Sequence, residues 1–304
     1  MNERPAKIID MWAPIIPTPK MLAHIRNNFP TQMLGYLRIF YHQEITESSI
    51  GKFVDNMQGG ISVEQYLQIL DKAGIDQILI TGFDELTSCG KTFSPNHLIA
   101  EIAREAPNRF LPFAGADIFQ GMQAVREVER LVRQEGFKGL SLRPFMIGLP
   151  PDDRRYYPFY AKCVELNIPV SVHASANWTE MRHNELAHPR HFDNVACDFP
   201  ELKLILSHGG YPWILEATLL ARKHRNVYLE LAAHRPKYLV QIGTGWEPLF
   251  TFGNSIIQDR VLFGTGAFLL GQPHTEIVQE FKQLPLRQDV MEKWLYKNAL
   301  SLWQ

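Results

Sequence analysis

Eight short, strongly apolar runs recur along this 304-residue chain, and segments of helical periodicity separate them. The runs are Lys7–Trp12, Ile75–Thr81, Phe110–Ala116, Gly139–Arg143, Ile168–His173, Lys203–Ser207, Val227–Leu231 and Arg260–Phe263. Most are continuous rather than alternating, as parallel strands buried on both faces require. Between them, Ser62 reads as an N-cap for a helix over Val63–Ala73 that stops at Gly74. His97–Glu105 and Met122–Glu135 are amphipathic, the latter ending at Gly136, and Tyr156–Leu166 holds Pro158 in its first turn. Eight strands alternating with helices predict an α/β fold, a (β/α)8 TIM barrel, with a doubly wound open sheet as second choice. Neither GxGxxG nor GxxxxGK[ST] follows any strand, which weakens nucleotide-binding versions of the open sheet. With 45% hydrophobic residues the chain can fill one large core, so residues 1–304 read as a single domain.

Two stretches exceed ordinary barrel loops. Residues 13–61 hold Pro14, Pro17, Pro19 and the apolar, aromatic stretch Met33–Tyr41. Residues 174–200 contain His183, His188 and His191, expected to be solvated loop residues. Loops that follow barrel strands surround the active site, so the first insertion is expected to be a lid or a dimer contact. Met33–Tyr41 is too apolar to face water, which favours a homodimer.

Lys plus Arg total 31 against 32 for Asp plus Glu, a net charge of −1. This balance offers no excess of basic groups to release counterions from nucleic acid, and no polybasic run appears to hold an anionic membrane, so neither is an expected partner. No apolar run approaches the ~20 residues that span a bilayer. Cys89, Cys163 and Cys197 are scattered and without CxxC pairing, so neither a disulfide framework nor a thiolate zinc site is expected. MNERPAKIIDMW lacks a leader pattern, and the expectation is a cytoplasmic protein acting on a small molecule.

Barrel chemistry sits at the C-terminal ends of strands. Read in order, those ends offer Asp10, Asp84 with Glu85, Asp117, Arg143, His173, His208, Glu230 with His234 and Arg235, and Thr265. Most informative are His173, in IPVSVHASAN, and His208, in LILSHGGYPW, each closing an apolar strand.

These segments, with CDFPELKLILSH and the terminal WLYKNALSLW, resemble the amidohydrolase superfamily. The similarity is to the branch of aminocarboxymuconate semialdehyde decarboxylase and the resorcylate-type decarboxylases, and it runs from IIDMW to the last helix. The resemblance implies metal ligands in a first-strand Asp-x-His-x-His pattern, a fifth-strand histidine and an eighth-strand aspartate. Here the first pattern reads Asp10-Met11-Trp12-Ala13 and the last strand ends Gly264-Thr265-Gly266. Of these ligands His173 alone matches, and His208 falls at the acid–base position. Ala13 and Gly266 carry no donor and the Met11 thioether suits Zn²⁺ or Mn²⁺ poorly, so no metal cofactor is expected. The alternative is a single Zn or Mn held by a rearranged set of His173, His208 and either Glu230 or His234.

The leading expectation is a lyase or hydrolase acting on a small carboxylate or carbonyl compound by acid–base catalysis. His208 is the proton carrier, His173 its partner, and Asp10 an orienting group or base. Arg143 would bind a substrate carboxylate, unless it pairs with Asp117. Trp12, Asn177, Trp178, Trp213 and His234 are candidate pocket residues. A metal-dependent hydrolase and a non-catalytic ligand-binding relative are the alternatives.

Overall fold

The computed structural model describes residues 7–42, 45–57 and 59–304. Residues 1–6, part of the stretch read for a leader, and residues 43, 44 and 58 of the insertion lie outside them. A strand forms within each of the eight apolar runs or shifted by a residue. The strands are β1 (Ile9–Ala13), β2 (Gln77–Thr81), β3 (Phe110–Gly115), β4 (Gly139–Leu142), β5 (Val170–His173), β6 (Leu204–Ser207), β7 (Val227–Glu230) and β8 (Val261–Leu262). All neighbours pair in parallel and in sequence order, which sets aside the doubly wound sheet. The amide of Met11 donates to the Phe263 carbonyl at 2.9 Å across the seam, so the sheet curls into a barrel.

Alternate side chains fill the inside of that barrel. Ile9, Met11, Leu79, Leu111, Phe113, Ile205, Tyr228 and Leu262 form one inner cluster, joined by Ala299 and Leu302 from the C-terminal segment. A larger cluster packs the outer strand faces against the helices. The helix Val63–Ala73 starts with a capping box between Ser62 and Gln65 and ends at Gly74 with φ 75°. Met122–Glu135 ends likewise at Gly136, φ 75°, where a left-handed cap suits glycine. The other two helices begin or end a residue away from the periodic pattern, at Asn96–Glu105 and Tyr157–Glu165.

The insertion after β1 folds as three helices, α1 (Pro19–Asn28), α2 (Leu34–Tyr41) and α3 (Ile50–Asp55). Thr18 caps α1 by accepting from the Met21 amide at 3.3 Å. Met33, Tyr36 and Leu37 are buried and line the barrel mouth. These three side chains turn into the mouth, which the segment covers like a lid. Ile39 stays exposed and Leu34, Phe40 and Tyr41 are half-buried, so the segment still turns part of its apolar surface outward. It is fastened to the loop after β5. A Cβ on Gly35 would run into the Trp178 carbonyl, the Thr179 hydroxyl donates to the Gln32 carbonyl, and Arg38 pairs with Glu180.

Candidate active site

At the end of β6 the chain turns through three left-handed residues, His208 (φ 66°), Gly209 (φ 67°) and Gly210 (φ 84°). A Cβ on Gly209 would sit 2.9 Å from the Trp246 ring, so SHGG meets a steric demand as well as a conformational one. This turn holds the His208 ring with Nδ1 3.0 Å from the Ala232 carbonyl. Nδ1 therefore carries the proton, and Nε2 is left with a free lone pair.

His173, at the end of β5, faces His208 edge-on with ring centroids 5.1 Å apart. Phe145 packs on His173 at 4.6 Å and Trp12 on His208 at 4.9 Å. The His173 Nε2 lies 3.4 Å from the Tyr36 hydroxyl and 3.4 Å from the Ser175 hydroxyl, whereas its buried Nδ1 has no protein partner. Burial pushes the His208 pKa down to about 4. It also depresses His173 well below the usual imidazole range, helped by the neighbouring His208 and Arg143. Both rings are neutral near pH 7.

The pair separates two spaces. The inner cavity is almost wholly apolar, walled by Trp12, Ile25, Phe29, Tyr36, Phe83, Phe93 and Phe145, with Ser141, Arg143 and Ser207 at its polar end. Closed by the lid, it offers about 50 Å³, room for only a few waters. An outer pocket of about 240 Å³ lies between α2, Trp178, Tyr211 and His234, and shares His173 and His208. His234 packs on Trp246 at 4.8 Å, its Nε2 is buried without a partner, and burial followed by the nearby His208 lowers its pKa to about 3.

Arg143 does not present a free guanidinium. Its Nε donates to Glu85 at 2.6 Å, Nη1 to the Ser141 hydroxyl at 3.0 Å and Nη2 to the Gly82 carbonyl at 2.8 Å. The charge is neutralised by Glu85 and stacked 3.6 Å over the Phe83 ring. The pairing expected with Asp117 is replaced by this one, because Asp117 accepts from the Thr87 amide at 2.7 Å and the Phe119 amide at 3.1 Å. Arg143 still lines the inner cavity, but its charge is already matched by Glu85, which disfavours it as the partner of a substrate carboxylate. Burial raises the Glu85 pKa to about 7 although Arg143 opposes the shift.

Asp10 is also reassigned. Its Oδ1 accepts from the Thr265 amide at 2.9 Å and the Trp12 amide at 3.2 Å, its Oδ2 from the Thr265 hydroxyl. It fastens β1 to the segment after β8 and lines neither cavity. Asn177 is held inside its own loop by Asn184 at 2.9 Å and by the Thr179 amide at 3.1 Å. Trp213 packs on His188 at 5.2 Å, away from both cavities, while Trp12 lines the inner one and Trp178 the outer. Nor are the loop histidines all solvated: His191 Nδ1 lies 2.9 Å from Asp152. Tyr36 and Phe145 were missed as site residues, and Glu85 stood among the strand-end candidates without its partner Arg143; the i, i+3, i+4 spacing of Met33, Tyr36 and Leu37 carried the signal for the first.

The residues do not fit the mononuclear metal that the fold implies. Counted from Asp10, the Asp-x-His-x-His spacing puts the ligand positions at Trp12 and Pro14 rather than at Met11 and Ala13. Both line the inner cavity and neither offers a lone pair to a metal, while Met11 packs in the inner apolar cluster. Gly266 stands at φ 60°, where a Cβ would meet the Ala233 nitrogen at 2.5 Å and its Cα at 2.9 Å, so an aspartate cannot stand there on this backbone. Glu230 is occupied as an acceptor for the Ala232 amide and the His208 amide. Among the described residues the one trio of His, Cys, Asp or Glu donors within mutual reach is Asp193, Cys197 and His224, outside the barrel.

Comparison with known proteins agrees with this fold. The amidohydrolase family model matches residues 62–304. A 2-keto-4-carboxy-3-hexenedioate hydratase from a Sphingobium species is 34% identical over 143 residues, covering 39% of this chain and 41% of the relative. The match thus spans less than half of that relative's length. Among solved structures, an uncharacterised TIM-barrel protein from Bordetella bronchiseptica superposes with a TM-score of 0.75 at 28% identity, covering 97% of this chain and 98% of that one. A dihydroxybenzoic acid decarboxylase from a Polaromonas species, solved with manganese and 2-nitroresorcinol, gives 0.65 at 17% identity, over 98% and 96% of the two chains.

Proposed function

The chain belongs to the amidohydrolase family, and we propose that it is a lyase that decarboxylates a small activated acid, a β-keto acid or a hydroxyaromatic acid. The observation that carries this reading is the pair of buried, neutral imidazoles at the edge of an apolar cavity whose one guanidinium is already neutralised. The closed cavity holds only a few waters, so the lid must shift to admit the acid; a carboxylate there is poorly solvated, and losing CO2 spreads its charge into the rest of the molecule. The environment therefore favours the transition state over the bound acid.

The carboxylate also supplies the counter-charge that lets His208 hold a second proton. The proton on Nε2 passes to carbon as the bond to the carboxylate breaks, its electron pair stays on that carbon, and CO2 leaves. Acid anion plus proton gives product plus CO2, and the imidazole returns neutral. His173, through its unpartnered Nδ1, hydrogen-bonds the substrate hydroxyl or carbonyl. A metal would supply several kcal/mol by polarising that oxygen; without a fitting ligand set, the substrate must carry its own activation.

The test is CO2 release from a panel of hydroxyaromatic and β-keto acids by the wild type and by His208→Gln. Loss of at least ~10²-fold in kcat supports the proton-carrier role; full activity in the variant removes it. A second reading, hydration of an unsaturated acid, is favoured by the 34% identity to the hydratase. Water addition without CO2 release in the same panel would select it.

A further inference from the structure

On the outer layer of the barrel, Asp193 and Cys197 stand one turn apart on the helix Pro189–Asp198, and His224 caps the helix Ile214–Lys223 beside them. One ligand atom from each lies within 4.8 Å of the other two. His224 Nε2 is 2.6 Å from Asp193 Oδ1. The Lys223 ammonium sits in the same cluster, 2.7 and 3.0 Å from the two Asp193 oxygens and 4.0 Å from Cys197 Sγ. The point where the three donors converge therefore already attracts a cation. Asp193 and His224 are half-buried and Cys197 is exposed, so an ion can reach them from solvent.

We propose that Asp193, Cys197 and His224 form a binding site for a zinc-class divalent ion that clamps these two helices together. Thiolate, imidazole and carboxylate make a borderline-soft set suited to tetrahedral Zn²⁺, with water in the fourth position, and unsuited to Mg²⁺ or Ca²⁺. Binding releases the thiol proton and displaces the Lys223 ammonium, which competes for the same carboxylate. Cys197 and His224 stand at the C-terminal ends of helices that run back against the strands, toward the face opposite the mouth, and Asp193 stands one turn before Cys197, near the middle of its helix. Changes on that face register in stability rather than in turnover. A CxxC search misses the site because its donors come from two helices and a single cysteine.

The test uses the full chain, purified with chelator and then dialysed free of it. Cobalt serves as the spectroscopic probe and zinc as the calorimetric one. The expected result is one Co²⁺ bound with a thiolate-to-metal charge-transfer band, zinc displacing it, and a Tm that rises with Zn²⁺. Cys197→Ser, a change at an exposed position, should abolish the band and weaken zinc at least tenfold. Lys223→Met should tighten zinc several-fold by removing the competing ammonium. No cobalt band in the wild type, or a band that survives in Cys197→Ser, overturns the proposal and leaves Lys223 as the only cation there.

Discussion

The Tyr36 hydroxyl, on the lid, lies 3.4 Å from Nε2 of His173 at the end of β5. The segment that covers the mouth thus touches the site beneath it, and closing the lid completes the surroundings of the imidazole. Tyr36→Phe keeps the packing on Phe145, 5.4 Å away, and removes only the hydroxyl. One hydrogen bond is worth about 1 kcal/mol, so kcat should fall roughly fivefold while Tm drops by only a few degrees. Steady-state kinetics beside a thermal melt decides it; an unchanged kcat would leave Tyr36 as packing alone.

Protonation of His208 should govern the pH profile. Its free-state pKa is depressed to about 4 by burial, so the imidazolium is scarce at neutral pH. If that form delivers the proton, kcat/KM should fall about tenfold per unit as pH rises from 5 to 8. A profile flat over that range would mean that the neutral ring acts as a base, which suits hydration better than decarboxylation.

Stability should pass through a maximum near pH 6 to 7. Burial lowers the pKa of His208 to about 4 and of His234 to about 3, and lowers His173 as well. The unfolded chain takes up protons at these rings first, so their contribution is full above the ordinary histidine pKa of about 6.5 and is lost as pH falls toward 4. Burial raises Glu85 to about 7 and lifts Glu230 well above the carboxylate range. Their contribution runs the other way, present below pH ~4.5 and lost as pH rises through their folded values. The two sets oppose each other between pH ~4.5 and 6.5, and below that only the histidine effect remains. Urea unfolding across pH 3.5 to 8 should therefore show a steep acid limb, shallower in His208→Gln. An equally steep limb in the variant would refute the assignment.

Breaking the buried Arg143–Glu85 pair from one side should be costly. Glu85→Gln leaves the guanidinium uncompensated, a change worth about 3–5 kcal/mol in buried pairs. Adding Arg143→Met to it should restore part of the loss. Denaturant midpoints of the two single variants and the double variant measure the coupling, and additive losses would contradict it.

A methyl group at Gly35 should loosen the lid, since it would meet the Trp178 carbonyl with no room to move aside. Gly35→Ala should destabilise by about 1–3 kcal/mol through forced overpacking. Limited proteolysis should then cut within residues 13–61 before the barrel opens. Cleavage no faster than in the wild type would show that the contact does not hold the lid.

The barrel could be read from sequence because its strands are buried on both faces and leave continuous apolar runs, each closing near a definite end. His173 and His208 were identifiable for the same reason. What sequence could not show were pairings set by the closed fold. Asp10 meets Thr265 255 residues away, across the seam. Arg143 had Asp117 and Glu85 to choose between, and the turn after β2 decided by bringing Glu85 to its Nε. Asn177 looked like a mouth residue by proximity to His173, yet its amide is consumed by its own loop. The lid residues showed helical spacing, but which surface they bury depends on how three helices cross the mouth.

The backbone around Gly266 bears on reversibility. A mutation restoring aspartate there would drive its Cβ against Ala233 before it supplied a ligand, and Gly264 is hemmed in likewise by Glu230. Placing histidine at Trp12 would remove the indole packed on His208 at 4.9 Å, with no aspartate at position 266 to complete the set. Each such substitution is therefore harmful taken alone, and the segments after β7 and β8 would have to move together first. The packing around Gly264 and Gly266 thus acts as a ratchet on this rim of the barrel, closing both positions to larger residues until the neighbouring backbone yields.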